Sequence, residues 1–359
     1  MKILAAARHP GPAESISPVV KLLIGRGHSV TLIGMRNDTP ETRIHGGSAT
    51  KFRQIGPKPI EMNELGDVQN VVSITDTYTD AIFERFKPDR VLVGCSVDAT
   101  GKHFAIEDAL LSGADRHSVT SVQLVEAWQA WYPRETGVIA NRYAVLDQIT
   151  RDVMSKRGAE LERISVTGNP NLDRFANAVP DQREAIRESL ELKDERLIVY
   201  FGQAVSRTGT PDDPKTMNWV VKALGIDDRL VFSPHPRDDR DYTTILASAR
   251  NRVIETTLTS DEVLHGADVS ISHYSTMLMK SSLLDIPSIS IIHGEDIRDL
   301  RREASGSPMT LLGGVHEVNT EEQLLAGLSA GLPGQASIIK NSLSVDGMAA
   351  ERVAQVVLA

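Results

Sequence analysis

The sequence predicts an α/β protein of two doubly wound parallel-sheet domains, on three observations. Short apolar runs of strand length alternate with helical patterns along most of the chain, the signature of βα units feeding a parallel sheet. At 359 residues the chain is longer than one hydrophobic core usually supports. The alternation also halts once, around Gly168-Asn169-Pro170, and then starts afresh. Each half is therefore expected to be Rossmann-like.

The elements follow in order. Lys2 to Ala7 is an apolar run of the buried parallel-strand type. Arg8-His9-Pro10-Gly11-Pro12 breaks it, and Ile16 to Arg26 follows as a helix that Gly25 and Gly27 end. His28 to Gly34 is the next strand, closing a βαβ opening that lacks the G-x-G-x-x-G of a dinucleotide site. Residues 36–70 read as loops with a short strand near Arg53 to Ile55. Then come helix Val71 to Phe86, strand Arg90 to Gly94, helix His103 to Ser112 and strand Ser121 to Val125, which runs into Glu126-Ala127-Trp128. Strand Tyr143 to Leu146, helix Gln148 to Arg157 and strand Ile164 to Thr167 complete the first domain.

A linker from Gly168 to Pro180 leads to the second series. Its strands are Leu197 to Phe201, Leu230 to Ser233, Arg252 to Glu255, Asp268 to Ile271 and Ser288 to Ile292. Its helices are Gln182 to Leu190, Thr216 to Leu224, Tyr242 to Ala249, Ser260 to His265 and Met277 to Leu284. Two such halves are expected to place their carboxyl-end loops around one cleft.

Composition limits the function. With 41% hydrophobic and 24% charged residues there is material for two cores and no mark of disorder. A net charge of −9 argues against nucleic acid as a partner, so any anion must be captured locally by loops. Cys95 is the only cysteine, which rules out an internal disulfide and any cysteine-based zinc site; the ten histidines show no metal-ligand spacing. No metal or other cofactor is therefore expected. The opening apolar run is too short for a signal peptide, and none approaches the ~18 residues of a membrane span. A soluble cytoplasmic protein is expected, with contact to a membrane surface and homodimerisation left open.

The densest chemistry lies between Leu230 and Ile292. Ser233-Pro234-His235-Pro236-Arg237 and Ser272-His273-Tyr274-Ser275-Thr276 each follow a strand and precede a helix. Such loops present free backbone N–H groups and a positive dipole end to an anion. His235 and Arg237 would add charge and directed hydrogen bonds, and Tyr274, Ser275 and Thr276 hydroxyl donors. The loop after strand Leu197 to Phe201 offers Gly202, Ser206 and Arg207 to the same phosphate. The plainer reading is that Ser275 and Thr276 cap a helix and His235 is an ordinary loop residue. In the first domain Glu126, at a strand's carboxyl end, is the candidate general base, against a role as a surface carboxylate. Arg8 would neutralise a diphosphate leaving group, against an ordinary loop arginine. His9 and Asp98 are alternative bases. Trp128, Trp131 and Tyr132 would form a sugar platform or belong to a core.

Several stretches resemble the GT-B superfamily, in particular the branch of UDP-N-acetylglucosamine 2-epimerases and related surface-polysaccharide glycosyltransferases. These are Arg8 with Ala13-Glu14 and Pro18-Val19-Val20, Lys87-Pro88-Asp89 with Arg90 to Gly94, Val125-Glu126-Ala127, Thr167-Gly168-Asn169-Pro170, His235-Pro236, Ala267-Asp268, and Asp346-Gly347-Met348-Ala349. The resemblance implies a last helix, Gly347 to Leu358, that crosses back to the first domain. Domains are thus expected at 1–172 (acceptor side) and 173–345 (nucleotide-donor side), with 346–359 the return helix. Two departures stand out: Cys95-Ser96 where the epimerases carry an acid, and no glutamate in Met277-Leu278-Met279-Lys280-Ser281 for ribose hydroxyls. The Ser-Pro-His-Pro-Arg loop with Tyr-Ser-Thr also looks like transferases of cytidine-activated donors.

The expected function is glycosyl transfer: a sugar or polyol moves from a nucleotide-sugar or nucleotide-polyol donor to a hydroxyl acceptor, lipid-linked or polysaccharide. The alternative is nucleotide-sugar 2-epimerisation, with or without hydrolysis. A third reading is a non-catalytic nucleotide-sugar binding protein.

Overall fold

The structure, a computed structural model, describes residues 1–35, 47–61, 76–96, 105–126, 128, 139–177, 181–203, 213–235, 238, 240–273, 275–292 and 308–359. The elements are β1 (Lys2–Ala6), α1 (Pro10–Gly25), β2 (Ser29–Gly34), α2 (Ala49–Arg53), β3 (Ile60–Glu61), α3 (Asp76–Phe86), β4 (Arg90–Val93), α4 (Ala105–Arg116), β5 (Thr120–Val125), β6 (Arg142–Val145), α5 (Gln148–Lys156) and β7 (Ile164–Val166). They continue with α6 (Arg183–Ser189), β8 (Arg196–Phe201), α7 (Asp213–Ala223), β9 (Asp228–Ser233), α8 (Thr243–Ala247), α9 (Ser260–Leu264), β10 (Val269–Ser272), α10 (Thr276–Leu283), β11 (Ser288–Ile291), α11 (Pro308–Leu311), β12 (His316–Val318), α12 (Glu321–Ala330), α13 (Ala336–Ser342) and α14 (Ala349–Leu358). Among the described residues no helix is long and apolar enough to cross a membrane.

Two units result: Met1–Asn177 with Leu343–Ala359, and Ala178–Ser342. The architecture is of the GT-B type, two parallel α/β sheets each with its own helices. The first unit's seven strands run in the order β3-β2-β1-β4-β5-β6-β7, and every pairing is parallel. Successive strand residues point to opposite faces, and both faces are covered, so each strand reads as a continuous apolar run. Leu4, Ala6, Val91 and Val93 meet Phe83 and Leu110, while Ile3, Ala5, Leu92, Val122 and Leu124 meet Ile16, Val19 and Leu23 of α1 and Val353 and Val357 of α14. Burying each such large side chain contributes about 1.5–3 kcal/mol.

α14 belongs to the first unit. Asp173 accepts the N–H groups of Ala349 and Ala350, at 3.0 and 2.8 Å, and Arg352 Nε donates to the Thr167 carbonyl at 2.8 Å. The stretch expected as linker from Gly168 is therefore structured. Residues Pro170–Phe175 form a 3-10 turn that buries Leu172 and Phe175.

The second unit has five parallel strands in the order β12-β11-β10-β8-β9. Tyr200, Ile271, Ile289 and Ile291 pack with Met217 and Val220 of α7 and Leu324 of α12 on one face, and Val199, Phe201 and Val231 pack with Leu264 on the other. A hydroxyl triangle interrupts this apolar interior. Ser281 of α10 lies 2.5 Å from Ser270 of β10 and 2.8 Å from Ser288 of β11, and those two are 3.1 Å apart, Oγ to Oγ. Ser281 also reaches the Met277 and Leu278 carbonyls and Ser288 the Ile286 carbonyl, so the buried hydroxyls are satisfied.

Some local expectations change. α1 starts at Pro10 rather than Ile16, because proline in a first turn sacrifices only an N–H that has no helical partner. The stretch expected as a strand near Arg53 is the end of α2, with the strand at Ile60–Glu61. Arg252 to Glu255 makes a single bridge, Val253 to Leu230, instead of a strand. The elements from α11 to α13 carried no sequence expectation.

Candidate functional site

In the first unit β1, β4 and β5 are adjacent and parallel, so the residues after them emerge at one edge of the sheet. Arg8 follows β1, Ser96 follows β4 and Glu126 follows β5. Gly94 permits the crowding: a Cβ there would stand 2.4 Å from the Pro12 Cβ at the head of α1. Glu107, in the first turn of α4, closes the group from behind. Its Oε1 accepts from the Ser96 hydroxyl at 2.6 Å and from the Arg8 backbone N–H at 3.1 Å, and the Ser96 oxygen accepts from His9 N–H at 3.1 Å. Arg8 is 1% exposed, hence not the solvated loop arginine of the plainer reading.

Two carboxyls in this group sit where charge is costly. Burial pushes Glu107 up to about 7, against the Ser96 and Arg8 hydrogen bonds that favour its charged form. Burial pushes Glu126 up to about 8, helped by the negative charge of Glu107. Glu126 is half-buried as a residue, but its Oε2 is sealed from solvent without a hydrogen-bond partner. A carboxyl in that range can accept or deliver a proton near neutral pH, which an exposed glutamate does poorly.

Neighbouring loops brace it. Asn169 Nδ2 donates to the Glu126 carbonyl at 3.3 Å, tying the Thr167-Gly168-Asn169 turn to the end of β5. Glu14 of α1 pairs with Lys51 of α2 at 2.5 Å and accepts from Asn171 at 3.3 Å. Trp128 donates its indole N–H to Asp147 at 2.6 Å, and the same carboxyl caps α5 through Thr150. That bond fixes the indole beside the strand end.

In the second unit β10, β8 and β9 are likewise adjacent and parallel. Gly202, just past β8, lies against the His235 loop, where an added Cβ would approach the His235 nitrogen to 3.2 Å. Gln203 donates to Ser272 at 3.0 Å and Ser272 to the Phe201 carbonyl at 2.6 Å, which joins the ends of β8 and β10. Arg240 donates to the Gln203 carbonyl at 3.1 Å and pairs with Asp238 at 2.7 Å; Asp238 also accepts the Tyr242 hydroxyl at 2.6 Å. Ser275 is the N-cap of α10, accepting from Met277 N–H at 3.2 Å, with Thr276 the first helical residue. Lys280 of α10, 8% exposed, is held by Asp261 of α9 at 2.8 Å.

Of the residues proposed from sequence, Arg8 and His9 are joined through Glu107 and Ser96, with Glu126 at the end of β5, the strand next to β4, in the first unit; in the second, Gly202, His235 and Ser275 lie on the loops after β8, β9 and β10, and Thr276 begins α10. Asp98, Ser206, Arg207, Arg237 and Tyr274 fall outside the described residues, as do Trp131 and Tyr132. Sequence reasoning missed Glu107, Ser96 and Arg240. Glu107 sits on an expected helix, where an acid normally reads as a solvated first-turn residue; only tertiary burial marks it out.

No protein-family model and no curated protein matches the chain. Its fold is shared with solved structures at low identity. The UDP-GlcNAc 2-epimerase of Neisseria meningitidis, bound to UDP-GlcNAc, aligns over 100% of both chains with TM-score 0.70 and 16% identity. The Methanocaldococcus jannaschii UDP-GlcNAc 2-epimerase aligns over 100% of this chain and 99% of its own, with TM-score 0.64 and 15% identity. A glycotransferase of kitacinnamycin aligns over 99% and 98%, with TM-score 0.59 and 14% identity.

Proposed function

We propose that the chain is an enzyme acting on a nucleotide-activated amino sugar, with 2-epimerisation of a UDP-N-acetylhexosamine as its reaction. The observation that carries this reading is Glu126, a carboxyl with a sealed, unpartnered oxygen held up to about 8 at the end of β5. Inverting a carbon that bears hydrogen requires a proton to leave one face and return to the other, and a carboxyl titrating near ambient pH suits both steps. Full-length likeness in fold to a 2-epimerase bound to UDP-GlcNAc supports the substrate class. In the second unit the loops at Gly202, His235 and Ser275 would hold the nucleotide's phosphates. Glycosyl transfer to a hydroxyl acceptor is the second reading, supported by the likeness to the glycotransferase.

The test is incubation with UDP-N-acetylglucosamine in deuterium oxide without acceptor, followed by NMR. Epimerisation places deuterium at sugar carbon 2. A panel of UDP-, CMP- and CDP-linked sugars that stays unlabelled, yet turns over once an alcohol acceptor is added, would replace this reading by transfer.

A further inference from the structure

Asp238 and Arg240, on the loop after β9, form an ion pair that does not stay within its own loop. Arg240 Nε donates to Asp238 Oδ1 at 2.7 Å and Nη2 to Oδ2 at 2.9 Å, the two-pronged contact that a planar guanidinium makes with a carboxylate. The second hydrogen of the same Nη2 goes to the Gln203 carbonyl on the loop after β8, at 3.1 Å. From Gln203 the bonds continue: its Nε2 donates to Ser272 at the end of β10 at 3.0 Å, and Ser272 donates to the Phe201 carbonyl at 2.6 Å. One guanidinium thus stands in a single chain of bonds with the ends of β8 and β10 from the loop after β9.

Asp238 holds that guanidinium still. Its side chain is sealed from solvent, and it also accepts the Tyr242 hydroxyl at 2.6 Å and the Arg240 backbone N–H at 3.2 Å. Burial acts to push the carboxyl up, yet the bonds from Arg240 and Tyr242 hold it below the usual carboxylate range, so the pair is charged at neutral pH. Tyr242 is fixed in turn by the Phe232 ring of β9, centroid to centroid 4.7 Å. Asp238 N–H donates to the His235 carbonyl at 2.8 Å, which ties the pair to His235. Across the gap a Cβ added to Gly202 would stand 3.2 Å from the His235 nitrogen, so the two loops run nearly in contact and their spacing is set finely.

We propose that Arg240 is a positioning residue for the nucleotide site: by bridging Asp238 to the Gln203 carbonyl it locks the loops after β8 and β9 at the spacing a phosphate group needs between Gly202 and His235. The proposal rests on reading those loops as the phosphate holder, and is independent of the sugar and of the reaction at Glu126. A staple of the β9 loop alone would need only the bond to Asp238; the reach to Gln203 is what couples two loops. Lysine cannot replace it, since one ammonium on a flexible stem does not present the fixed fork that serves both carboxylate oxygens and the carbonyl together.

The test is calorimetric binding of UDP and CDP to the wild type, Arg240→Lys and Asp238→Asn, with a thermal melt of each. Arg240→Lys should bind the nucleotide about tenfold or more weakly, and Asp238→Asn, which leaves Arg240 its carbonyl contact, about threefold more weakly. Melting temperatures should move by roughly 4 °C or less. Asp238→Asn decides the matter if Arg240→Lys does not fold. Guanidinium ion added to Arg240→Ala should restore affinity without raising the melting temperature, which a guanidinium needed only for folding would not do. Wild-type affinity in the folded variants, or affinity lost in step with melting temperature and not restored by guanidinium, overturns the proposal and leaves the Asp238–Arg240 pair a loop staple. A wild type that binds neither nucleotide overturns the phosphate reading and this proposal with it, whereas a wild type that binds beside variants that bind equally well overturns this proposal alone.

Discussion

Asp173 caps a helix that starts at Ala349: its two oxygens accept the N–H groups of Ala349 and Ala350 at 3.0 and 2.8 Å. The carboxylate satisfies two of the four free donors at the head of α14 and meets the positive end of its dipole. Asp173→Ala should lower the unfolding free energy by about 1–2 kcal/mol, and Asp173→Asn by less. Urea denaturation of the three proteins checks this, and equal midpoints would mean that α14 holds by its apolar face alone.

Catalysis should depend on Glu126. Glu126→Gln keeps the shape and loses the proton acceptor, so turnover should fall roughly a hundredfold or more with nucleotide affinity nearly intact. In the wild type the rate should rise with pH towards a plateau just above about 8, where Glu126 is ionised. Steady-state rates with calorimetric binding separate the two effects. Turnover equal to wild type would move the role to His9 or Asp98.

Stability should carry the same signature with a definite sign. Glu107 and Glu126 titrate near 7 and 8 in the folded chain against 4.5 for the ordinary group, so between those values the folded state holds protons that the unfolded state has released. Their contribution therefore weakens as pH rises across that window and is complete below it. Glu126→Gln should flatten the loss of stability between pH 5 and 8 by roughly 1–3 kcal/mol. Thermal melts at both pH values suffice, and parallel pH profiles for the two proteins would contradict the assignment.

Ser275 separates capping from anion binding. Aspartate caps helices as well as serine does, so Ser275→Asp should leave the melting temperature nearly unchanged while its charge repels a phosphate. Affinity for UDP should drop about tenfold or more, an effect of ~1.4 kcal/mol. Unaltered affinity would place the phosphates elsewhere.

Gly94 should tolerate no side chain. With the Pro12 Cβ only 2.4 Å from an added methyl, Gly94→Ala forces the head of α1 away from β4 and should cost about 1–3 kcal/mol. Normal stability would show that the loop after β1 adjusts freely.

The alternation of apolar strands with helices made the two sheets legible, since strands buried on both faces leave runs such as Arg90 to Val93 in plain view. Glu126 was visible for the same reason: it ends such a run. Glu107 was not, because its partners Arg8 and Ser96 lie on the loops after two other strands, 99 and 11 residues away in sequence. α1 was begun too late because Pro10 and Pro12 read as breakers, although a first turn accepts them. The strand expected at Arg252 shrank to one bridge beside the edge strand β9, where local β propensity lacks a full ladder to support it.

The hydroxyl triangle of Ser270, Ser281 and Ser288 bears on how this core can change over generations. Replacing any one by alanine leaves the other two with a missing partner in a dry interior, whereas replacing all three removes the polar groups together. Ser281 and Ser288 keep backbone carbonyl partners whichever neighbour is lost, so Ser270, bonded to the other two hydroxyls, is the position that depends on the set: in an alignment a serine there should be scarce wherever both other positions are apolar.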